Sequence, residues 1–198
     1  MSPEQAVELI LEGKTGMDLR APIEWQKRQL PGTINLPILT DNERHQVGLC
    51  YKQAGQEQAT LLGHQLVNPF KEARVEKWIQ ASAAFVFCWR GGQRSGIAQE
   101  WLKEKGVSLP RVNGGFKAIR NYLLKQFEQD YPMFVIAGLS GSKKGELLAQ
   151  FPQHSVDLEI CAHHRGSVFG FYLNNPPHPQ QNFENRLAFE LLKKKTPL

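Results

Sequence analysis

Three cysteines in 198 residues, Cys50, Cys88 and Cys161, are too few, too far apart and odd in number for a disulfide framework. Such sparse usage suits a reducing compartment, so a cytoplasmic setting is expected. Long apolar runs are missing as well: none approaches the roughly 20 residues that a membrane-crossing helix needs. The start, Met1-Ser2-Pro3-Glu4, lacks the basic stretch followed by an apolar one that marks a secretory leader. No internal repeat is visible, and no cysteine cluster accompanies the adjacent His163 and His164, so zinc is not expected. Charge is only mildly one-sided: a net +5 with pI about 9.2 permits a polyanionic partner without demanding one. Apolar residues, at 41%, are enough for a core.

What is present alternates. Pro3 to Leu11 has helical apolar spacing, and Met17-Asp18-Leu19-Arg20 reads as a short strand ending before Pro22. Pro31-Gly32 has turn chemistry and leads into a short apolar strand. Asp41 to Leu66 is predicted helical with Asp41 or Asn42 as its N-cap, and Glu72 to Gln80 is a second helical stretch. Ala83-Ala84-Phe85-Val86-Phe87 is an apolar run of buried-strand length. Ser95 to Lys105 has helical spacing and stops at Gly106. Val107 to Val112 is a further expected strand, and Phe116 to Phe127 a further helix. Strands alternating with helices predict an α/β domain with a mainly parallel sheet. Glu128-Gln129-Asp130 with Pro132 marks a boundary, giving domains 1–128 and 131–198. Beyond it, a strand over Met133 to Ala137 and a last helix from Asn182 to Lys195 are expected.

The chemistry concentrates after the apolar run, in Cys88-Trp89-Arg90-Gly91-Gly92-Gln93-Arg94-Ser95. A strand ending in cysteine, a glycine-rich loop and a helix together form an anion cradle. Glycines let successive N–H groups turn inward, and the helix start adds unpaired N–H groups and a positive dipole end. Such a field should populate the thiolate near neutral pH. Arg94, six positions after Cys88, is placed to grip a tetrahedral oxyanion with two parallel hydrogen bonds.

Asp18-Leu19-Arg20, Leu30 to Pro37, the cysteine loop and Asn113-Gly114-Gly115-Phe116 resemble the landmarks of a rhodanese domain. The loop together with Val47-Gly48-Leu49-Cys50-Tyr51-Lys52-Gln53, Asp157-Leu158-Glu159 and His163 to Gly170 resembles the tRNA 2-selenouridine synthase family, in which a rhodanese domain precedes a P-loop domain. The resemblance implies a rhodanese-like parallel-sheet domain followed by a partial P-loop-type α/β segment. It implies exchange of the sulfur of a wobble 2-thiouridine in tRNA for selenium, with geranyl transfer to that sulfur as an intermediate step. Selenophosphate and geranyl diphosphate would be substrates, with no permanently bound cofactor and no metal. The expected partners are tRNA and a selenophosphate-supplying enzyme. Cys88 would be the nucleophile that handles selenium, as a perselenide, and Arg90, Gly91, Gly92, Gln93, Arg94 and Ser95 would cradle the selenophosphate oxygens. Family members are considerably longer, so a C-terminally shortened chain is expected: a truncated gene product, a relic, or one piece of a split gene, which would call for a complementing C-terminal chain.

The second half departs from the phosphate-loop pattern of glycine, four free positions, glycine, lysine and a hydroxyl residue. Aligned on Gly138, Lys143 stands at the second glycine and Gly145 at the hydroxyl, while Lys144 matches the phosphate-gripping lysine. Gly138, Gly141, Ser142 and Lys144 are the candidate diphosphate binders. A side chain at position 143 should crowd the loop. Asp157 and Glu159 either offer carboxylates to a metal or cap a strand, and His163, His164 and Arg165 either touch phosphate or form a plain turn. Lys193-Lys194-Lys195 either aids RNA binding or is a solvated tail. Two other functions stay open: a thiol phosphatase, which uses the same cysteine-to-arginine spacing but lacks a histidine before the cysteine here (Phe87), and a non-catalytic rhodanese remnant.

Overall fold

The computed structural model describes residues 1–139, 141–166, 170, 172 and 176–194. Helix α1, Pro3–Leu11, starts on a capping box. The Ser2 hydroxyl accepts from the Gln5 amide while the Gln5 side chain returns to the Ser2 backbone, and Pro3 occupies a position where no N–H is needed. Strand β1 is Gly16–Asp18 and helix α2 is Pro22–Lys27. Gly32, at φ 68, makes the turn that admits β2, Thr33–Asn35. Helix α3, Asp41–Val67, is capped by Thr40 with Glu43 closing the box, one residue earlier than expected. Asp41 instead accepts the Ile23 amide at 2.9 Å, so its carboxylate fastens α2. Gly55 breaks the helical path with φ 84 and ψ −176, a conformation only glycine adopts cheaply.

Helix α4, Lys71–Gln80, precedes β3, Phe85–Phe87; α5 is Gln93–Glu104 and α6 is Gly115–Leu124, extended by a 3-10 turn over Lys125–Glu128. The three strands form one parallel sheet in the order β2-β1-β3, with Gly16 opposite Thr33 and Phe85. The expected strand over Val107 to Val112 is reduced to a single bridge between Val86 and Arg111. Pro110 accepts from the Val86 amide at 2.9 Å but has no N–H to give, which limits the ladder there.

Two compact units emerge: Met1–Gln26 with Gly32–Ile119, and Lys27–Pro31 with Arg120–Leu198. The core of the first gathers Met17, Leu19, Ile38, Val86, Ala98 and Leu102 around Trp78 and Trp101, whose rings stack at 6.0 Å. Trp78 Nε1 donates to the Leu36 carbonyl at 3.1 Å, so its polar handle is satisfied inside the core. Cys88 belongs to the same cluster and is buried.

The second unit holds α7, Lys144–Ala149, α8, Leu158–Ala162, and α9, Gln180–Lys193. The buried asparagines of α9 clasp the segment Lys27–Pro31: Asn182 Oδ1 accepts the Gln29 amide at 2.7 Å, and Asn185 Nδ2 donates to the Gln29 carbonyl at 2.6 Å. Arg120 completes the clasp, donating to Asn185 Oδ1 at 2.8 Å and pairing with Glu184. No strand occurs among the described residues of this unit, so the strand expected over Met133 to Ala137 is not formed. A strand exists only as part of a hydrogen-bonded ladder, and no neighbouring strand among the described residues supplies one. Phe134, Val135 and Leu139 are instead 101%, 85% and 86% exposed.

Candidate active site around Cys88

Cys88 sits at the carboxyl end of β3, where open parallel sheets place their ligands. Its loop is held from outside by the start of α6. The Phe116 amide donates to the Cys88 carbonyl at 2.8 Å and the Lys117 amide to the Trp89 carbonyl at 3.1 Å. In a planar trans peptide the N–H points opposite to the C=O. Two carbonyls turned toward α6 therefore send the Trp89 and Arg90 amides to the other side of the loop. The first-turn amides of Gln93, Arg94 and Ser95 lie ahead of any intrahelical acceptor.

The glycines are required by close approach. Gly91 lies at φ 66, and a Cβ on it would stand 2.6 Å from the Val112 carbonyl oxygen. Gly115, at φ 57, faces it: a Cβ there would run into the Cys88 carbonyl and stand 2.5 Å from the Gly91 amide. The Asn113-Gly114-Gly115 turn and the cysteine loop are therefore packed backbone on backbone. Gly92, the residue before α5, uses its carbonyl to accept from Gly96 at 3.1 Å and from the Ser95 hydroxyl at 3.1 Å.

Ser95, placed by sequence among the oxyanion binders, is fully buried with its Oγ 3.3 Å from Cys88 Sγ. Its hydroxyl touches the sulfur directly. Gln93 reaches sideways, Nε2 donating to Thr60 Oγ1 of α3 at 3.2 Å. Arg90 is exposed. Trp89 stacks on Phe116 at 5.4 Å, and beneath them lies the buried Arg20, 3.8 Å from the Phe116 ring centroid. Arg20 Nε and Nη2 bond the Asp18 carboxylate at 2.9 and 2.5 Å. A desolvated ion pair thus underlies the loop at the end of β1.

Arg94 carries a partner that sequence reasoning missed. Its Nη1 donates to Glu24 Oε2 at 2.6 Å and its Nη2 to Oε1 at 3.4 Å. Glu24 also accepts the Ala21 amide at 3.0 Å and has Arg44 Nε at 3.6 Å. Burial alone would push the Glu24 carboxyl up, but the hydrogen bond and charge of Arg94 outweigh it and hold the pKa below the ordinary value. The same pairing overcomes burial on the other side and raises Arg94, with the Cys88 and Asp18 charges adding to the effect. Glu24 and Arg94 are 70 residues apart, and nothing local in the sequence signals the pairing.

The second candidate site differs from the pattern in a physical way. Lys144 folds back, its Nζ donating to the carbonyls of Gly138 at 2.8 Å and Leu139 at 3.0 Å and to Ser142 Oγ at 3.4 Å. Lys143 adopts the left-handed φ of 62 that glycine would take at its place, and its side chain is directed outward to Glu146 at 3.3 Å. Gly141 is likewise left-handed at φ 82. Asp157 caps α8 by accepting the Glu159 and Ile160 amides, so it caps a helix rather than a strand. Among the described residues no group of three metal-ligating side chains occurs. The His163 ring stacks on Tyr172 at 4.6 Å and lies 5.3 Å from His178. Arg165 lies over Tyr172 at 4.7 Å. Ser167, Val168, Phe169 and Lys195 of the expected stretches lie outside the described residues. No helix among the described residues is long and apolar enough to cross a membrane.

The family model and the curated relatives point to one family. The family model for the tRNA 2-selenouridine synthase AAA domain matches residues 131–197. The tRNA 2-selenouridine synthase of Shewanella sediminis (strain HAW-EB3) is 46% identical over 195 residues, 94% of this chain and 52% of that protein. That of Hahella chejuensis (strain KCTC 2396) is 45% identical over 200 residues, 97% of this chain and 52% of the relative. A crystal structure of the N-terminal domain of a Clostridium difficile 630 protein, named for a proposed ATP/GTP-binding role, is 28% identical with a TM-score of 0.56. It covers 63% of this chain and 98% of that one. The chain spans about half the length of the curated relatives it matches. Over that half, its sequence is similar to those of the tRNA 2-selenouridine synthases.

Proposed function

We propose that the chain carries the selenium-handling part of a tRNA 2-selenouridine synthase, a rhodanese-type unit in which Cys88 is the nucleophile and the loop from Arg90 to Ser95 holds the oxygens of selenophosphate. The observation that carries this reading is the outward turn of the Cys88 and Trp89 carbonyls onto α6. It turns the Arg90 amide to the side where the amides that open α5, together with Arg94, meet a tetrahedral anion, with the sulfur of Cys88 among them. The Ser95 hydroxyl lies 3.3 Å from that sulfur and serves a thiolate by turning its one proton from the Gly92 carbonyl to the sulfur. The polyanionic substrate is a tRNA whose wobble 2-thiouridine exchanges sulfur for selenium, and the net charge of +5 is compatible with it.

In the second unit, Gly138, Gly141, Ser142 and Lys144 form the proposed diphosphate site, with geranyl diphosphate as the ligand for the intermediate geranyl transfer. For such a ligand to enter, Lys144 must exchange the carbonyls of Gly138 and Leu139 for phosphate oxygens. Chemistry in the cytoplasm, with a selenophosphate-supplying enzyme as a partner, belongs to the same proposal.

The experiment is direct. The chain is incubated with a 2-thiouridine tRNA and selenophosphate, with and without geranyl diphosphate, and the wobble nucleoside is analysed by mass spectrometry. Selenium or geranyl at that base, lost in Cys88→Ala, supports the proposal. Release of phosphate from a generic phosphoester in place of base modification would favour a thiol phosphatase.

A further inference from the structure

A guanidinium offers two separate hydrogen-bonding edges, the terminal Nη1/Nη2 pair and the lateral Nε/Nη2 pair. Arg94 spends its terminal edge on Glu24, at 2.6 and 3.4 Å. Among the described residues no hydrogen bond uses its Nε. Glu24 is itself fixed, anchored by the Ala21 amide at 3.0 Å, faced by Arg44 at 3.6 Å and almost wholly buried. A carboxylate held this firmly beside an anion-binding arginine weakens anion binding if it competes for the same edge. If it holds the opposite edge, it strengthens binding, because a long flexible side chain is then set in place before the ligand arrives. The atoms involved indicate the second case.

We infer that Glu24 is a positioning residue for the Cys88 site: by engaging the terminal edge of Arg94, it presents the lateral edge to a tetrahedral oxyanion seated over the sulfur. This rests on the reading of the loop as an anion cradle. Glu24 touches neither donor nor nucleic acid in this role and acts only through Arg94. Its place on α2 ties the geometry of the cradle to a helix that follows β1, not to the loop itself.

The test uses inorganic phosphate as the probe and the full chain. Phosphate protection of Cys88 against iodoacetamide is measured by peptide mass mapping as an apparent dissociation constant. Glu24→Gln, which keeps shape and removes charge, should weaken protection about tenfold or more, as removal of the partner of a binding side chain typically does. Glu24→Asp should recover part of the loss. In an Arg94→Lys background the Glu24→Gln change should matter by less than about twofold, since the two residues act as one unit. A purely structural defect would add its full cost in both backgrounds.

Unchanged or tighter protection in Glu24→Gln would overturn the inference, as would an undiminished effect in the Arg94→Lys background or no recovery by Glu24→Asp. Absence of phosphate protection in the wild type would remove the cradle reading along with it. Glu24-dependent protection without selenium on tRNA would leave the inference standing and fail only the proposed activity.

Discussion

The Phe116 amide lies 2.8 Å from the Cys88 carbonyl oxygen, so the first turn of α6 determines which way the cysteine loop faces. Everything proposed for the sulfur depends on this bond and on the bare glycine backbones beside it.

Gly115→Ala tests that dependence. The new methyl would collide with the Cys88 carbonyl at a position held at φ 57. The combined conformational and overpacking cost is about 2–4 kcal/mol, seen as a lower midpoint in urea unfolding. Phosphate protection of Cys88 should fall with it. An alanine variant of wild-type stability would show that the loop and the glycine turn are not packed as described.

Cysteine labelling should discriminate sharply. Burial, with the Glu190 and Asp157 charges adding, pushes the Cys161 thiol up to about 11. At neutral pH only about one Cys161 in ten thousand is then ionised, and the thiolate is the reactive form. Iodoacetamide should leave Cys161 intact in the folded chain, and phosphate should protect Cys88 alone. Mass mapping of the three cysteine peptides reads both results.

Acid should loosen the first unit partly through Glu24. Its folded pKa lies below the ordinary carboxyl value of 4.5, so the folded state binds the proton less readily than the unfolded chain. The resulting stabilisation is complete above pH 4.5 and is lost as pH falls through the depressed folded value. Glu24→Gln, which cannot titrate, should show a shallower fall in unfolding free energy over that acid range.

Arg20→Leu should be severe. It would leave the Asp18 carboxylate buried without its cation, a change that costs about 3–5 kcal/mol in comparable pairs. It would also remove the guanidinium under the Phe116 ring. Thermal unfolding measures the loss. Replacing both Asp18 and Arg20 with apolar residues of similar volume should recover much of it.

Much of the first unit could be read from local pattern. Phe85-Val86-Phe87 is the buried strand that its apolar run implies, Gly106 ends α5 at φ 77, and the Pro31-Gly32 turn leads into β2. These features arise from neighbouring residues, whose propensities and turn chemistry act at short range. The reduction of Val107 to Val112 to one bridge depends on how Pro110 meets Val86. The Arg94–Glu24 pair, the Gln93–Thr60 bond and the Arg20 stack join residues far apart along the chain, where no periodicity records them. Ser95 was recognisable as part of the loop, but its contact with sulfur was not. In the second unit the apolar composition of Met133 to Ala137 does suit a strand; what decides the outcome is whether a ladder partner lies beside it.

That segment has a practical consequence. Met133-Phe134-Val135-Ile136-Ala137-Gly138-Leu139 has no charge and no proline, and its largest side chains face water. Stretches of this kind recruit identical copies of themselves into stacked sheets. Concentrated preparations of the chain should therefore self-associate through these seven residues, and Val135→Lys should keep them dispersed.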